Sequence, residues 1–488
     1  MNLHRWNVAF MLSACMAMTG SIDVPTALNR RYASTAFANY EKGSANLTAA
    51  QGRLPSSPTQ DSSPPPEVVR WIRANAVRVG GPDDPLAADE AAAITRLIGD
   101  APILAFGEVT HGAHEPLAYR NRLIRFLVEQ RGFTAVALES GLAQGRRVDD
   151  YVMGGAGDVV QIAHDNIGWG FGDLEANVAL MRWLRGYNAD TSHRPIRFYG
   201  ADVSGGTGAI FETGRLALDD VLSYLARTIP KASTELREQL AAFAPRFTPQ
   251  AYATYTPAER ATLSTALATA ERLFEGSRPA MIAGSSQDDY DWATRELLDS
   301  RRLESIFQIG PSGPQSTDTA AILRMSDLRD HTMADHLLWA LNREGPRGRI
   351  LSFAANGHVA GSQTIHREEF PGLPLPTSMG IQVRGALGDR YRVLLTAATK
   401  TVNGARATVG SGQMGSLDSA LVAAGSSPFF LDIRGTARDS WWGRRQSLGA
   451  FGRVRGLVPN LAADGILFLD KLTCEPSLRP GAAGCRRG

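Results

Sequence analysis

The stretch Ile103–Glu115, "ILAFGEVTHGAHE", decides how the rest of the chain is read. Four apolar residues run into Gly107, and then Glu108, His111, His114 and Glu115 crowd into the next positions of a chain with nine histidines. A short apolar run that stops at a polar loop reads as a strand buried on both faces. The next segment, "HEPLAYRNRLIRFLVEQRG", reads as a helix whose inward stripe is Leu117, Ile124, Leu127 and Val128. His114 and Glu115 fall in its first turn, where a glutamate suits the helix dipole, and are taken as structural.

Working outward, the same alternation recurs. "TAVALE", "IRFYGADV", "RILSFAANGH" and "YRVLLTAAT" are strand-like runs separated by helical patterns, and "PFFLDIRG" and "GILFLDK" come later in kind. Such runs mark a parallel sheet covered on both faces. The expected fold class is α/β, a central mainly parallel sheet flanked by helices. From Gly214 to Arg343 the chain reads as one helix after another. Residues 214–343 are therefore expected to be a helical insertion that forms one side of a cleft.

Ligands of open α/β sheets bind beyond the carboxyl ends of the strands. The strands deliver there, in turn, Glu108 with His111, Glu139, Asp202, and Asn356 with His358. Arg120 lies at the edge of the inward stripe of its helix, where it either enters the core and needs a carboxylate such as Glu108 or Glu139, or snorkels to solvent; Arg122 and Arg125 point more outward. A lone loop histidine is usually a surface or structural residue. His111 departs from that pattern because Glu108 precedes it by three and a glycine comes next, permitting a tight loop.

An imidazole held by a carboxylate can take a proton from water near neutral pH. Arg120 and a second histidine, His358, can stabilise the oxyanion formed when that water attacks a carbonyl. The chain has no G-x-S-x-G elbow, no G-x-x-x-x-G-K loop and no G-x-G-x-x-G following a strand. His111, His114, Glu108, Glu139 and His358 could also form a metal shell. With neither H-E-x-x-H nor a cysteine set present, no metal and no cofactor is expected.

Composition narrows the partners. The net charge is +2, from 51 basic and 49 acidic residues, which gives no field directed at nucleic acid. Residues 1–20 resemble a secretory signal, so an exported protein is expected, periplasmic or extracytoplasmic; Leu12-Ser13-Ala14-Cys15 also resembles a lipobox, with Cys15 as the lipid anchor. Residues 21–66, ending in "SSPTQDSSPPPE", read as a linker. The folded domain is expected over 67–473 and a tail over 474–488. In that tail Cys474 and Cys485 either close a small loop or remain free thiols.

Together these residues resemble the erythromycin esterase family. "GEVTHGAHE" is similar to its G-E-x-x-H-G motif, followed by the helix bearing Arg120. "GFTAVALE", "LMRWLRGYN", "IRFYGADV", "RDHTMADHLLWAL" and "ANGHVA" come in the family's order. The resemblance implies a metal-independent esterase on an α/β fold whose helical part covers a wide cleft. His111 would be the base that activates water, Glu108, Arg120 and Glu139 would orient it or bind the ester, and His358 would be a second imidazole. Members acting on antibiotics open a macrolide lactone. Two positions depart from the pattern: Ala355 stands where the first histidine of A-H-N-x-H belongs, and His336 where asparagine is favoured. His336 or His366 could supply the missing imidazole.

The leading expectation is thus a hydrolase of carboxylic esters or lactones with a small-molecule substrate. Acyl groups on a polysaccharide or secondary metabolite would be served by the same mechanism. The alternative is a non-catalytic exported protein that binds a metal or a porphyrin-like ligand through its histidines.

Overall fold

The computed structural model describes residues 64–479, apart from 83, 206–211, 311–317, 366–367, 399, 402–415, 426–427, 449–453 and 470. The expected signal with Cys15, most of the linker, His366 and Cys485 lie outside the described residues.

Eight strands make the central sheet. They are β1 (Val77–Arg78), β2 (Ile103–Glu108), β3 (Ala135–Gly141), β4 (Arg197–Asp202), β5 (Ile350–Ala355), β6 (Tyr391–Ala397), β7 (Phe429–Asp432) and β8 (Gly465–Phe468). Their order across the sheet is β1-β7-β8-β6-β2-β5-β3-β4. From β4 to β8 all neighbours run parallel, while β7 and β1 add an antiparallel edge. Every residue of β2 and β3 is buried. Leu104, Phe106, Val136 and Leu138 join the core on one face; Ile103, Ala105, Ala135 and Ala137 join the core on the other. Burial on both faces is why these strands read as unbroken apolar runs, and each large side chain so buried contributes roughly 1.5–3 kcal/mol.

The helices are α1 (Pro66–Asn75), α2 (Ala88–Ile98), α3 (His114–Arg131), α4 (Leu142–Val152), α5 (Val159–Asn166) and α6 (Glu175–Asn188). Between β4 and β5 come α7 (Arg215–Thr228), α8 (Thr234–Ala241), α9 (Pro249–Thr254), α10 (Pro257–Ala283), α11 (Gln287–Ile309) and α12 (Thr319–Glu344). The described residues there add no strand to the sheet. A four-residue helix, α13 (Asn356–Val359), continues directly from β5. Pro66 opens α1, a position where its missing N–H costs nothing, so ordered structure begins slightly earlier than the linker reading placed it. No helix among the described residues is long and apolar enough to cross a membrane.

The sheet order is what assembles the site. The chain leaves β2, skips a place to β3, moves outward to β4 and returns through the long helical excursion to insert β5 between β2 and β3. The carboxyl ends of β2, β5, β3 and β4 are therefore four adjacent neighbours. In this register Glu108 stands beside Ala355. Gly107 is required there because a Cβ would come within 2.3 Å of Asn356 Oδ1 and 2.7 Å of Val359 Cγ2. Asn356 is occupied with β6: its Nδ2 donates to the Thr396 carbonyl at 2.8 Å and its Oδ1 accepts from Thr396 N at 3.3 Å. It fastens the rim and is not free for chemistry.

The reading of 474–488 as a tail needs correction at its start. Cys474 is disulfide-bonded and pairs in an antiparallel bridge with Ala113, Glu475 is only 2% exposed, and Ser477 bridges to Leu174. These are contacts across more than 300 residues of chain, which local composition does not register.

Candidate active site

His111 sits on the loop after β2, where Gly112 takes the left-handed conformation (φ 73°) that lets the chain turn at once into α3. Its Nδ1 lies 2.6 Å from Glu108 Oε1. A carboxylate only accepts, so Nδ1 carries the hydrogen and Nε2 carries the lone pair. Glu108 is buried, whereas the His111 side chain keeps 21% exposure. Burial pulls the His111 pKa down, but the charge and hydrogen bond of Glu108, with Glu139 beyond, outweigh burial and opposing Arg329 and hold it above the ordinary value of 6.5. The Phe171 ring packs on the imidazole at 5.2 Å between centroids.

Glu139 is set by an irregularity in β3. Leu138 faces Gly200 and Gly141 faces Asp202, so β3 carries one residue more than β4 across this step. Such a bulge re-aims a side chain at a strand end. Glu139 Oε2 accepts from Ala355 N at 2.8 Å and Oε1 from Arg329 Nη2 at 2.7 Å. Burial works against its charge, but His358, Arg329 and His111 prevail and hold its pKa down at about 2.

Arg329 is the hub of the site and was not anticipated from the sequence. It also bonds Asp202 through Nε (3.0 and 3.1 Å) and Nη2 (2.5 Å), and its Nη1 lies 3.0 Å from His358 Nε2. A guanidinium nitrogen can only donate, so His358 Nε2 accepts and Nδ1 donates to Asp330 Oδ1 at 2.7 Å. Burial lowers the His358 pKa, yet Asp330 and Glu139 raise it net, against Arg329. Trp169 lies under Arg329, ring centroid 5.4 Å from the guanidinium carbon, with its own backbone at φ 64°. A large side chain in that region is uncommon and costs roughly 1–3 kcal/mol, so the surroundings impose it.

Arg120 departs from expectation in its partner. It is 1% exposed, donates from Nε and Nη2 to Asn121 Oδ1 (3.0 and 2.8 Å) and lies over Phe353 at 4.9 Å. Its counter-charges act without a direct hydrogen bond: burial lowers its pKa to about 10, while Glu108 and Glu475 oppose that fall. Glu139, the other carboxylate expected to hold it, belongs to Arg329. Arg122, expected to point outward, is buried in a two-pronged pair with Glu90 at 2.6 and 2.8 Å. His114 and Glu115 open α3 as expected and bind the C-terminal segment, His114 through Glu475 and Glu115 through Thr473.

A cavity of about 20 Å³ is walled by Glu108, Arg120, Glu139, Phe171, Asn177 and Phe353, enough for roughly one water. Glu108 Oε2 and Asn177 Oδ1 are buried without a hydrogen-bond partner among the described residues. The structure thus brings Glu108, His111, Glu139 and His358 together, with Arg120 on the cavity wall. No three His, Cys, Asp or Glu among the described residues are grouped as a metal would need. The missing imidazole is not restored by His336, which is fully buried 3.7 Å from Asp299 and held neutral by burial, Arg295 and Arg302. Ala355, with no imidazole to offer, stands beside Glu108 and donates its N–H to Glu139.

Comparison with known proteins agrees with this architecture. The erythromycin esterase family model matches residues 128–472, a stretch that contains Glu139, Arg329 and His358; Glu108, His111 and Arg120 precede it. The chain is 25% identical over 340 residues to an erythromycin esterase type II of Escherichia coli, covering 66% of this chain and 75% of that protein. Its fold is similar to that of a Bacillus cereus protein (TM-score 0.70, 19% identity, 85% of this chain and 99% of that one). A succinoglycan biosynthesis protein is similar at TM-score 0.65, with 19% identity over 85% and 98% of the two chains. An erythromycin esterase mutant in its open conformation is similar at TM-score 0.60, with 16% identity over 80% and 96%. A family model that spans most of the folded chain, on the same fold, settles its affiliation: the chain belongs to the erythromycin esterase family.

Proposed function

We propose that this protein hydrolyses carboxylic esters or lactones with a water activated by His111 and without a metal. The observation that carries the reading is the 2.6 Å contact between His111 Nδ1 and Glu108 Oε1, which leaves the lone pair on Nε2. His111 Nε2 takes a proton from water as its oxygen attacks the carbonyl carbon. The cationic Arg120, on the wall of the adjoining cavity, stabilises the oxyanion. Collapse breaks the bond to the alkoxide, which takes the proton from His111. The products are an acid and an alcohol, one water heavier in sum than the substrate.

The remaining groups serve this pair. Arg329 neutralises Glu139 and Asp202, and Asp330 fixes the tautomer of His358. Family membership supports ester hydrolysis as the class of reaction. A macrolide lactone is one candidate substrate, and acyl groups on other small molecules are another. The methyl of Ala355 removes one hydrogen-bonding group from the reach of the carbonyl, worth roughly 1.5–3 kcal/mol where it is charge-assisted.

The pH dependence tests the assignment. The base works as neutral imidazole and its pKa is raised, so kcat/KM should fall as pH drops through a value above 6.5. In Glu108→Gln the main raising influence is gone and burial dominates, so the acid limb should move to lower pH. The profile is measured on chelator-treated protein with aryl esters and macrolides. An acid limb unmoved by Glu108→Gln would show that another group is the base.

A further inference from the structure

We propose that the C-terminal strap Thr473–Leu478 is part of the working site, with Glu475 as a positioning residue for the loop that carries His111. This inference rests on the esterase reading and extends its machinery to a segment whose composition suggests a tail.

The strap joins two walls of the cavity. On one side His114 N donates to the Thr473 carbonyl at 2.9 Å, and Glu475 N donates to the Gly112 carbonyl at 3.0 Å. On the other side Glu175 N donates to the Pro476 carbonyl at 3.0 Å, and Leu478 N to the Asp173 carbonyl at 2.8 Å. Gly112 and Leu174 both line the cavity shared by Glu108 and Arg120. The His111 loop and the Phe171 segment packed on it are thus held together by one crossing strand.

Backbone bonds alone would hold such a strap, and a buried carboxylate is a costly addition to it. Glu475 accepts from His114 Nδ1 through Oε2 and from Ala176 N through Oε1, both at 2.7 Å. Its charge meets the first turn of α6, a favourable place for an anion. Its bonds to Gly112 and His114 fix the chain just after His111, and so hold His111 Nδ1 against Glu108, the main influence that raises the His111 pKa.

The test uses the full chain carrying Glu475→Gln, which keeps size and an acceptor for Ala176 but removes the charge. Glu108, Glu139, Arg329 and the Phe171 ring, which face His111 among the described residues, all remain, so a moved limb reports a loosened His111–Glu108 contact. Expected results are an unchanged melting transition, kcat down about tenfold at neutral pH, the scale of one charge-assisted hydrogen bond, and an acid limb moved to lower pH. Normal kcat with an unmoved limb would overturn the proposal. Should Glu475→Gln melt early, Glu475→Asp decides: restoration of the limb by a retained charge supports the proposal, and an equal loss overturns it. A wild type that cleaves no ester defeats the esterase reading alone. The strap is then judged by the NMR titration of His111 in ¹³C-histidine-labelled protein, where a lower pKa in Glu475→Gln sustains its role and an equal one removes it.

Discussion

His111→Ala is expected to lower kcat for ester hydrolysis by about a hundred- to ten-thousand-fold, the range that a general base supplies. The substitution also takes from Glu108 Oε1 its donor, in a carboxylate whose Oε2 already has no partner among the described residues. Leaving that group unpaired costs about 1–3 kcal/mol, so the variant should melt somewhat earlier while remaining folded at assay temperature. The double variant Glu108→Gln/His111→Ala removes the buried charge and should recover part of the melting temperature, but none of the activity. Activity retained in His111→Ala would remove His111 from the role of base. A loss that tracks melting temperature across both variants would show that the pair is only structural.

The second large effect is expected at Arg329. Arg329→Met leaves Glu139 and Asp202 facing each other at the ends of neighbouring strands with no cation between them. Breaking a buried pair in this way costs about 3–5 kcal/mol. Lysine should not rescue it, because the guanidinium spans three partners, Asp202, Glu139 and His358, that one ammonium cannot reach together. The loss should depend on pH. In the wild type Glu139 has a depressed pKa, about 2 against an ordinary 4.5, so it stabilises the fold above 4.5 and that stability is lost as pH falls through 2. In Arg329→Met, Asp202 loses the cation that offsets its burial and is pushed further above its ordinary value, so its penalty is absent at low pH and grows as pH rises through the new pKa. Chemical denaturation at pH 4.5 and pH 8 should therefore show the variant closer to wild type in acid. An equal deficit at both pH values would mean that Arg329 acts by packing rather than by charge.

Legibility in the sequence differs from residue to residue. The parallel sheet was legible because strands buried on both faces write themselves as unbroken apolar runs, as "ILAF" and "TAVAL" do. The rim residues Glu108, His111, Glu139 and His358 were legible because a parallel sheet places the loops after its strands along one edge. The insertion of β5 between β2 and β3, which makes those ends neighbours, has no local signature. Arg329 and Asp330 stood in view in "RDHTMADHLLWAL", but they lie inside a helix, where an arginine and an aspartate look like a solvated face. Trp169 and Phe171 had a weak signal in "GWGFGD", aromatics between glycines, which suits a tight turn carrying large side chains. Glu475 had none, since its partners His114 and Ala176 lie 361 and 299 residues away. Arg122 shows the limit of stripe counting: a helix packed on more than one side buries residues that a single inward stripe assigns to solvent.

Reach explains why Arg329, and not Arg120, holds Glu139. A carboxylate at a bulged strand end, such as Glu139, can be reached from the helix that covers the sheet rim, and α12 brings Arg329 there. Arg120 rises from α3 and meets the cavity, a neutral amide and the more distant charges of Glu108 and Glu475. Arg329 is thus committed to its carboxylates, while Arg120 lines the cavity.

The measurement that tests the central claim most directly is product mass after hydrolysis in ¹⁸O-labelled water. Chelator-treated full-length protein and His111→Ala are each incubated with simple aryl esters and a macrolide panel. Attack by a His111-activated water predicts an acid product carrying a single ¹⁸O and an unlabelled alcohol, formed by the metal-stripped wild type and not by His111→Ala. Label in the alcohol, turnover that returns only when metal is added, or equal turnover in His111→Ala would contradict the account.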